Sequence, residues 1–150
     1  MMKRRPNAAT LECLHAAGLR ATRQRLAVCR LLFAGTDRHV TAEGLHSEAQ
    51  AASIAVSLAT VYNALHQFVD SGLLREVVVD SGKSYFDTNT SQHHHFYFEA
   101  SGRLEDIPAG DLTLARVPPA PHGAQVVRVD VVIRLTETDE NILQYHLLLY

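Results

Sequence analysis

The chain has 150 residues, 47% of them apolar, which is too many for a disordered protein and suits one compact domain or two small ones. Lys and Arg number 14 against 16 Asp and Glu, a formal net charge of −2, which argues against a membrane or polyanion binder along the whole length. The balance is uneven: residues 1–38 hold eight basic residues and two acids, while residues 90–150 hold four basics and eight acids, as in a DNA-binding half joined to a half with another task.

Residues 1–7 are basic and read as a flexible arm, with a contact to DNA phosphates as the sharper alternative. Thr10 to Ala17 predicts a short helix stopped by Gly18. Thr22 then caps a helix over Arg23 to Ala34 that buries Leu26, Val28, Leu31, Leu32 and Phe33. Its first turn carries Arg23 and Arg25. Cations are disfavoured there by the helix dipole, so a phosphate is a reasonable partner for them. Gly35 to Arg38 is a turn, and Thr41 caps a third helix with Glu43 in a capping role.

Ser57 caps the next helix, whose Leu58, Val61, Leu65, Phe68 and Val69 form one apolar stripe before Gly72 stops it. Its other face carries Ala59, Thr60, Asn63 and Gln67, with Tyr62 and His66 at the flank. That face is small, polar and uncharged, which suits reading base edges; an ordinary surface helix rich in Ala and Thr has the same pattern. The strands Leu73–Val79 and Lys83–Asp87 close a hairpin around Asp80-Ser81-Gly82. Helices followed by a two-stranded wing are the layout of a winged helix-turn-helix. In that layout the helix before the wing enters the major groove, and Lys83 at the wing tip would meet a phosphate.

Residues 88–92 are a polar hinge. His93–Glu99 and Arg103–Ile107 read as strands, Leu112–Val117 as a short helical or irregular piece, and Gln125–Leu135 as a long strand. That last strand is too apolar to stand alone, so the C-terminal half is expected to pack against another copy. Residues 136–140 read as a turn, and 141–150 as a strand or a terminal helix. With no signal peptide and no long apolar run, the chain reads as cytoplasmic, with no membrane partner.

The densest chemistry is His93-His94-His95. Strand alternation puts His93 and His95 on one face, where two imidazoles can hold a metal jointly, and His94 on the other. His39, Asp87, Glu105, Asp106 and His122 are further candidate ligands. Cys13 and Cys29 form no Cys-x-x-Cys pair, so no four-cysteine structural zinc is expected. The chain has no glycine-flanked nucleophilic serine, no His-Glu-x-x-His helix and no phosphate-binding glycine loop, so it reads as a non-enzyme; a metal-dependent hydrolase built on the histidines is the remaining enzyme alternative.

Ala59-Thr-Val-Tyr-Asn-Ala-Leu65 with Phe68 and Gly72, His39-Val-Thr-Ala-Glu43, Gly82-Lys-Ser-Tyr-Phe-Asp87 and the histidine cluster together resemble the ferric uptake regulator (Fur) superfamily. Asn63, Phe86-Asp-Thr-Asn-Thr-Ser91, the uninterrupted histidines and Val129-Asp-Val-Val-Ile-Arg-Leu135 look most like its iron response regulator (Irr) branch, which is associated with haem. The resemblance implies an α+β fold: an N-terminal winged helix-turn-helix domain over 1–88 and a C-terminal α/β dimerisation and regulatory domain over 89–150. It places Tyr62 toward thymine methyls or bases, with Ser57, Thr60 and Asn63 beside it. Many relatives carry Arg where this chain has Asn63.

The family's inter-domain regulatory site maps onto His39, Asp87 and His94, with Phe96 where a further ligand is expected. Its core site maps onto His93 and His95, with Asp106 or Glu105 as the acid and Val129 or a neighbour where the last histidine belongs. Two incomplete sites favour haem over iron, manganese or zinc. The expectation is a homodimeric regulator of iron or haem homeostasis on double-stranded operator DNA, with haem lowering DNA affinity. A divalent-metal-sensing repressor of the same family is the alternative.

Overall fold

The computed structural model describes residues 8–80 and 82–137. The basic arm at 1–7 and the ambiguous segment at 141–150 lie outside the described residues. The chain forms two compact units that meet in sequence between Ser91 and Gln92.

The first unit runs α1 (Ala8–Ala16), α2 (Arg23–Leu32), β1 (His39–Val40), α3 (Ala42–Ala51), α4 (Leu58–Asp70), β2 (Arg75–Asp80) and β3 (Lys83–Asp87). Three of these helices open on hydroxyl caps. Thr22 Oγ1 accepts from Arg25 N, Thr41 Oγ1 from Gly44 N, and Ser57 Oγ from Thr60 N, each at 3.1 Å. Each cap satisfies one of the backbone donors a helix start leaves free. The end of α4 is equally specific. Gly72, at φ +81°, donates to Val69 O, and Leu73 donates to Phe68 O at 2.8 Å, turning the chain back through a left-handed residue. The same closure ends α3 with Ser53 at φ 57°, a conformation a non-glycine residue adopts at a cost.

The apolar stripe of α4 (Val61, Ala64, Leu65 and Phe68) lies in one core with Leu14 of α1, Val28, Cys29 and Leu32 of α2, Leu45 of α3 and Phe86 of β3. Phe68 is fully buried, so its truncation to Ala carries the cavity cost of a large core side chain, about 3–5 kcal/mol. The sheet order is β1-β3-β2, antiparallel throughout. Strand β1 is absent from the sequence reading, which ends the turn at Arg38. Its two residues are too few to show alternation, and only pairing with Asp87 and Phe86 makes them a strand.

The second unit contains β4 (His95–Phe98), β5 (Arg103–Asp106) and β6 (Val132–Leu135), in the order β5-β4-β6. Strand β5 is antiparallel to β4 and β6 is parallel to it. Here the structure corrects one expectation: the strand over Gln125–Leu135 is only β6. Every β6 residue has a partner on β4, His95 to Val132 through Phe98 to Leu135, and β4 is four residues long. Valine-rich sequence favours a strand only where an edge is available to pair with. Upstream of that edge Val127 stands 91% exposed. The stretch at Leu112–Val117 is irregular. Among the described residues no helix is long and apolar enough to cross a membrane.

Candidate metal centre and nucleic-acid interface

The outer face of α4 is as uncharged as its sequence suggests, with Ala59, Asn63, His66 and Gln67 exposed. Ser57 and Thr60 are engaged with each other, since Ser57 Oγ donates to Thr60 Oγ1 at 2.8 Å besides capping the helix. Arg25 does more than sit at a helix start. Its Nε donates to Gln67 Oε1 at 2.9 Å and its Nη1 to Arg20 O at 2.8 Å, so the guanidinium bridges α2 to the outer face of α4. A shallow groove of about 230 Å³ runs beside it, lined by Thr22, Arg25, Thr60 and Asn63. Arg23 is exposed two residues before Arg25, and Lys83 is exposed at the start of the second wing strand.

Tyr62 is held from two sides. Its hydroxyl donates to the Glu43 carboxylate on the first turn of α3. Its ring stacks on His66, with centroids 6.3 Å apart and planes within 18°. His66 in turn meets the Phe86 ring edge-on at 5.7 Å. The Tyr62 hydroxyl holds the Glu43 carboxyl below the usual carboxylate range, and the same contact pushes the Tyr62 phenol up.

In the first unit, the β1–β3 register places His39 opposite Asp87, and the side chains meet, Nε2 to Oδ2, at 3.1 Å. Asp87 is buried, and its Oδ1 accepts from Asn89 N at 2.9 Å.

In the second unit, the β4–β5 register places His95 opposite Asp106, and His93 lies two residues back on the same side of the chain. The Nε2 atoms of His93 and His95 both point at one oxygen, Asp106 Oδ1, at 3.1 and 3.4 Å. Their ring centroids are 4.5 Å apart. One ligand atom from each of the three residues lies within 4.8 Å of the others. His95 is buried and Asp106 is partly exposed, so the group has a closed side and an open one. Two imidazole nitrogens and a carboxylate oxygen converging on one volume are the donor set of a small divalent ion. Of the two acids left open by the sequence, Glu105 pairs with Arg103 at 3.5 Å and is the Cα partner of Phe96. His94 is placed differently from its neighbours: its Nδ1 accepts from Val131 N at 3.1 Å and its carbonyl from Ile107 N at 2.9 Å. His122 is exposed beyond the proline run.

Residues 16–134 match the sequence pattern described as the Ferric uptake regulator family, well over half of the chain. The chain belongs to the ferric uptake regulator family. Among similar proteins is the peroxide-responsive repressor PerR of Staphylococcus aureus (strain Mu50), 34% identical over 98 residues, which are 65% of this chain and 66% of that protein. The match thus spans just under two thirds of that relative's length. The ferric uptake regulator of Pseudomonas aeruginosa, solved with manganese, has a similar fold with a TM-score of 0.62 at 23% identity, covering 84% of this chain and 96% of that one. The Vibrio cholerae ferric uptake regulator gives a TM-score of 0.65 at 21% identity, covering 84% and 98%. These two likenesses show the ferric uptake regulator fold, mixed helices and sheets in one chain.

Two contacts on the α4 face escape a sequence reading of this family member. Glu43 looks like a helix-start acid, and the structure spends its carboxylate on Tyr62, 19 residues away. Gln67 looks like surface, and it holds Arg25 across 42 residues. No local periodicity signals either pair. The only hint is that one partner of each pair, Tyr62 or Gln67, is a polar group on or beside the otherwise uncharged face of α4.

Proposed function

We propose that this ferric uptake regulator family member is a homodimeric transcriptional repressor that binds operator DNA and senses a divalent metal ion, with iron, manganese and zinc as the candidates. One observation carries the reading: His93, His95 and Asp106 offer ligand atoms within 4.8 Å of one another, two of them imidazole nitrogens. Those residues would hold the ion, whose positive charge would offset the Asp106 carboxylate between the two imidazoles. His39 and Asp87 are a second pair of ligand type, in the DNA-binding unit.

Haem, expected from the branch resemblance, is the weaker ligand. A haem iron takes an imidazole axially over the face of a flat macrocycle. His93 and His95 instead aim both Nε2 atoms at one carboxylate oxygen, an arrangement that suits an ion. A relative named as a peroxide-responsive repressor supports the repressor role, and a similar structure solved with manganese supports a divalent ion.

On this reading, residues 1–88 are the DNA-binding domain and 89–150 the dimerisation and regulatory domain. Helix α4 enters the major groove with Tyr62 and Asn63 toward base edges and Ser57 and Thr60 at its entry. Arg23, Arg25 and Lys83 meet phosphates. Two copies read paired half-sites, and ion binding raises DNA affinity by favouring the arrangement that fits them. The role is regulatory, without catalysis.

The test is selection of duplexes from a random pool, followed by fluorescence anisotropy with and without Mn(II), Zn(II) and Fe(II). Tighter binding with one of these ions supports the proposal. Equal affinity in all conditions, or a haem absorbance band that changes on His93→Ala and His95→Ala, overturns the metal-sensing reading.

A further inference from the structure

We propose that Glu43 is a positioning residue for DNA reading: its carboxylate fixes the Tyr62 hydroxyl, so that the aromatic ring meets the groove in one orientation. The inference rests on the DNA-binding reading above and deepens it.

Three observations support it. The hydroxyl of Tyr62 is tied to α3 through Glu43, while its ring face is stacked on His66. His66 is braced in turn against Phe86, which is buried in the core. The ring is therefore held at its tip by one element and across its face by a contact rooted in another. Second, Glu43, Tyr62 and His66 line one open groove of about 460 Å³ with Glu76 and Lys83 of the wing, so the held ring stands between the reading helix and the hairpin. Third, Glu43 is an exposed, ionised carboxylate on a face proposed to approach phosphates. A negative charge there repels DNA and lowers non-specific affinity. Its value at that place is geometric. An aromatic side chain already fixed in its bound rotamer avoids the ordering cost of binding, which for one side chain corresponds to roughly two- to tenfold in affinity.

Charge and geometry make opposite demands, and that separates them experimentally. Glu43→Ala removes both the anchor and the charge. Glu43→Gln keeps an acceptor oxygen and removes only the charge. The measurement is the ratio of affinities for the selected operator and an unrelated duplex, at fixed salt with Mn(II) present, for full-length protein. Both variants should bind the unrelated duplex more tightly. The ratio should fall roughly two- to tenfold in Glu43→Ala beyond its value in Glu43→Gln. In a Tyr62→Phe background, which keeps the ring but has no hydroxyl to anchor, Glu43→Ala and Glu43→Gln should have equal ratios. Equal ratios with Tyr62 intact, or a difference that persists in Tyr62→Phe, overturn the positioning role while leaving DNA binding in place. If the unsubstituted protein enriches no duplex at all, the DNA-binding reading fails and takes this inference with it.

Discussion

His39 and Asp87 are Cα partners across the β1–β3 ladder and join side chains at 3.1 Å, although 48 positions separate them in the chain. Asp87 is 1% exposed, and its second oxygen holds Asn89 N. Removing a buried carboxylate from such partners strands the donors it satisfied. Asp87→Ala should destabilise the protein by about 3 kcal/mol. Asp87→Asn should cost less, because the amide oxygen still accepts from Asn89 N. Urea unfolding measures both; an Asp87→Ala midpoint equal to that of the parent would refute the His39–Asp87 contact as a structural element.

Metal affinity should depend on His93, His95 and Asp106 as a set. Calorimetry with Zn(II) or Mn(II) should show His95→Ala, His93→Ala and Asp106→Asn each weakening binding by more than roughly tenfold, since losses of that size follow even from residues behind the ligands. Glu105→Gln, which loses only a contact to Arg103, should bind like the parent. His94→Ala removes the acceptor for Val131 N and should lower stability by about 1 kcal/mol while sparing the ion. A larger affinity loss at His94 than at His93 would place the ion elsewhere.

The Glu43–Tyr62 contact has a defined pH window. The Glu43 carboxyl is lowered by the Tyr62 hydroxyl, so the contact stabilises fully above the usual carboxylate range and fades as pH falls through the depressed value. The Tyr62 phenol is raised by Glu43, so the contact is fully present below the usual phenol range and is lost as pH rises through the raised value. Glu43→Gln should therefore shift one tyrosinate absorbance transition to lower pH, a shift missing in Tyr62→Phe. Identical alkaline titrations for Glu43→Gln and the parent would count against the contact in solution.

Cys29 should be chemically quiet. Burial, and then the neighbouring Cys13, push its thiol up to about 12. The thiolate is the reactive form, so iodoacetamide at neutral pH should label half-buried Cys13 first and Cys29 only after denaturation. Peptide mapping by mass spectrometry reads the order directly, and rapid native labelling of Cys29 would contradict its place in the core.

Elements that carry their own signal are legible in the chain. The stripe on α4, its Ser57 cap and its Gly72 stop are local patterns whose geometry follows from helical spacing and from a left-handed residue. The wing is legible for the same reason, as two β-rich runs around a glycine turn. The valine-rich run at Gln125–Leu135 shows the limit of such signals. Its composition favours a strand, yet the strand extends only as far as the four residues of β4 can pair with it.

The candidate site divides along the same line. Sequence alone determines that imidazoles at 93 and 95 share a side, because a strand alternates with period two. The choice of Asp106 over Glu105 is a matter of register, since a one-residue slip between β4 and β5 would exchange them. The joining of His39 to Asp87, Arg25 to Gln67 and Glu43 to Tyr62 is decided by the fold of the first unit. Helical and strand periodicities act over a few residues, whereas these partners are brought together only when the core beneath them closes.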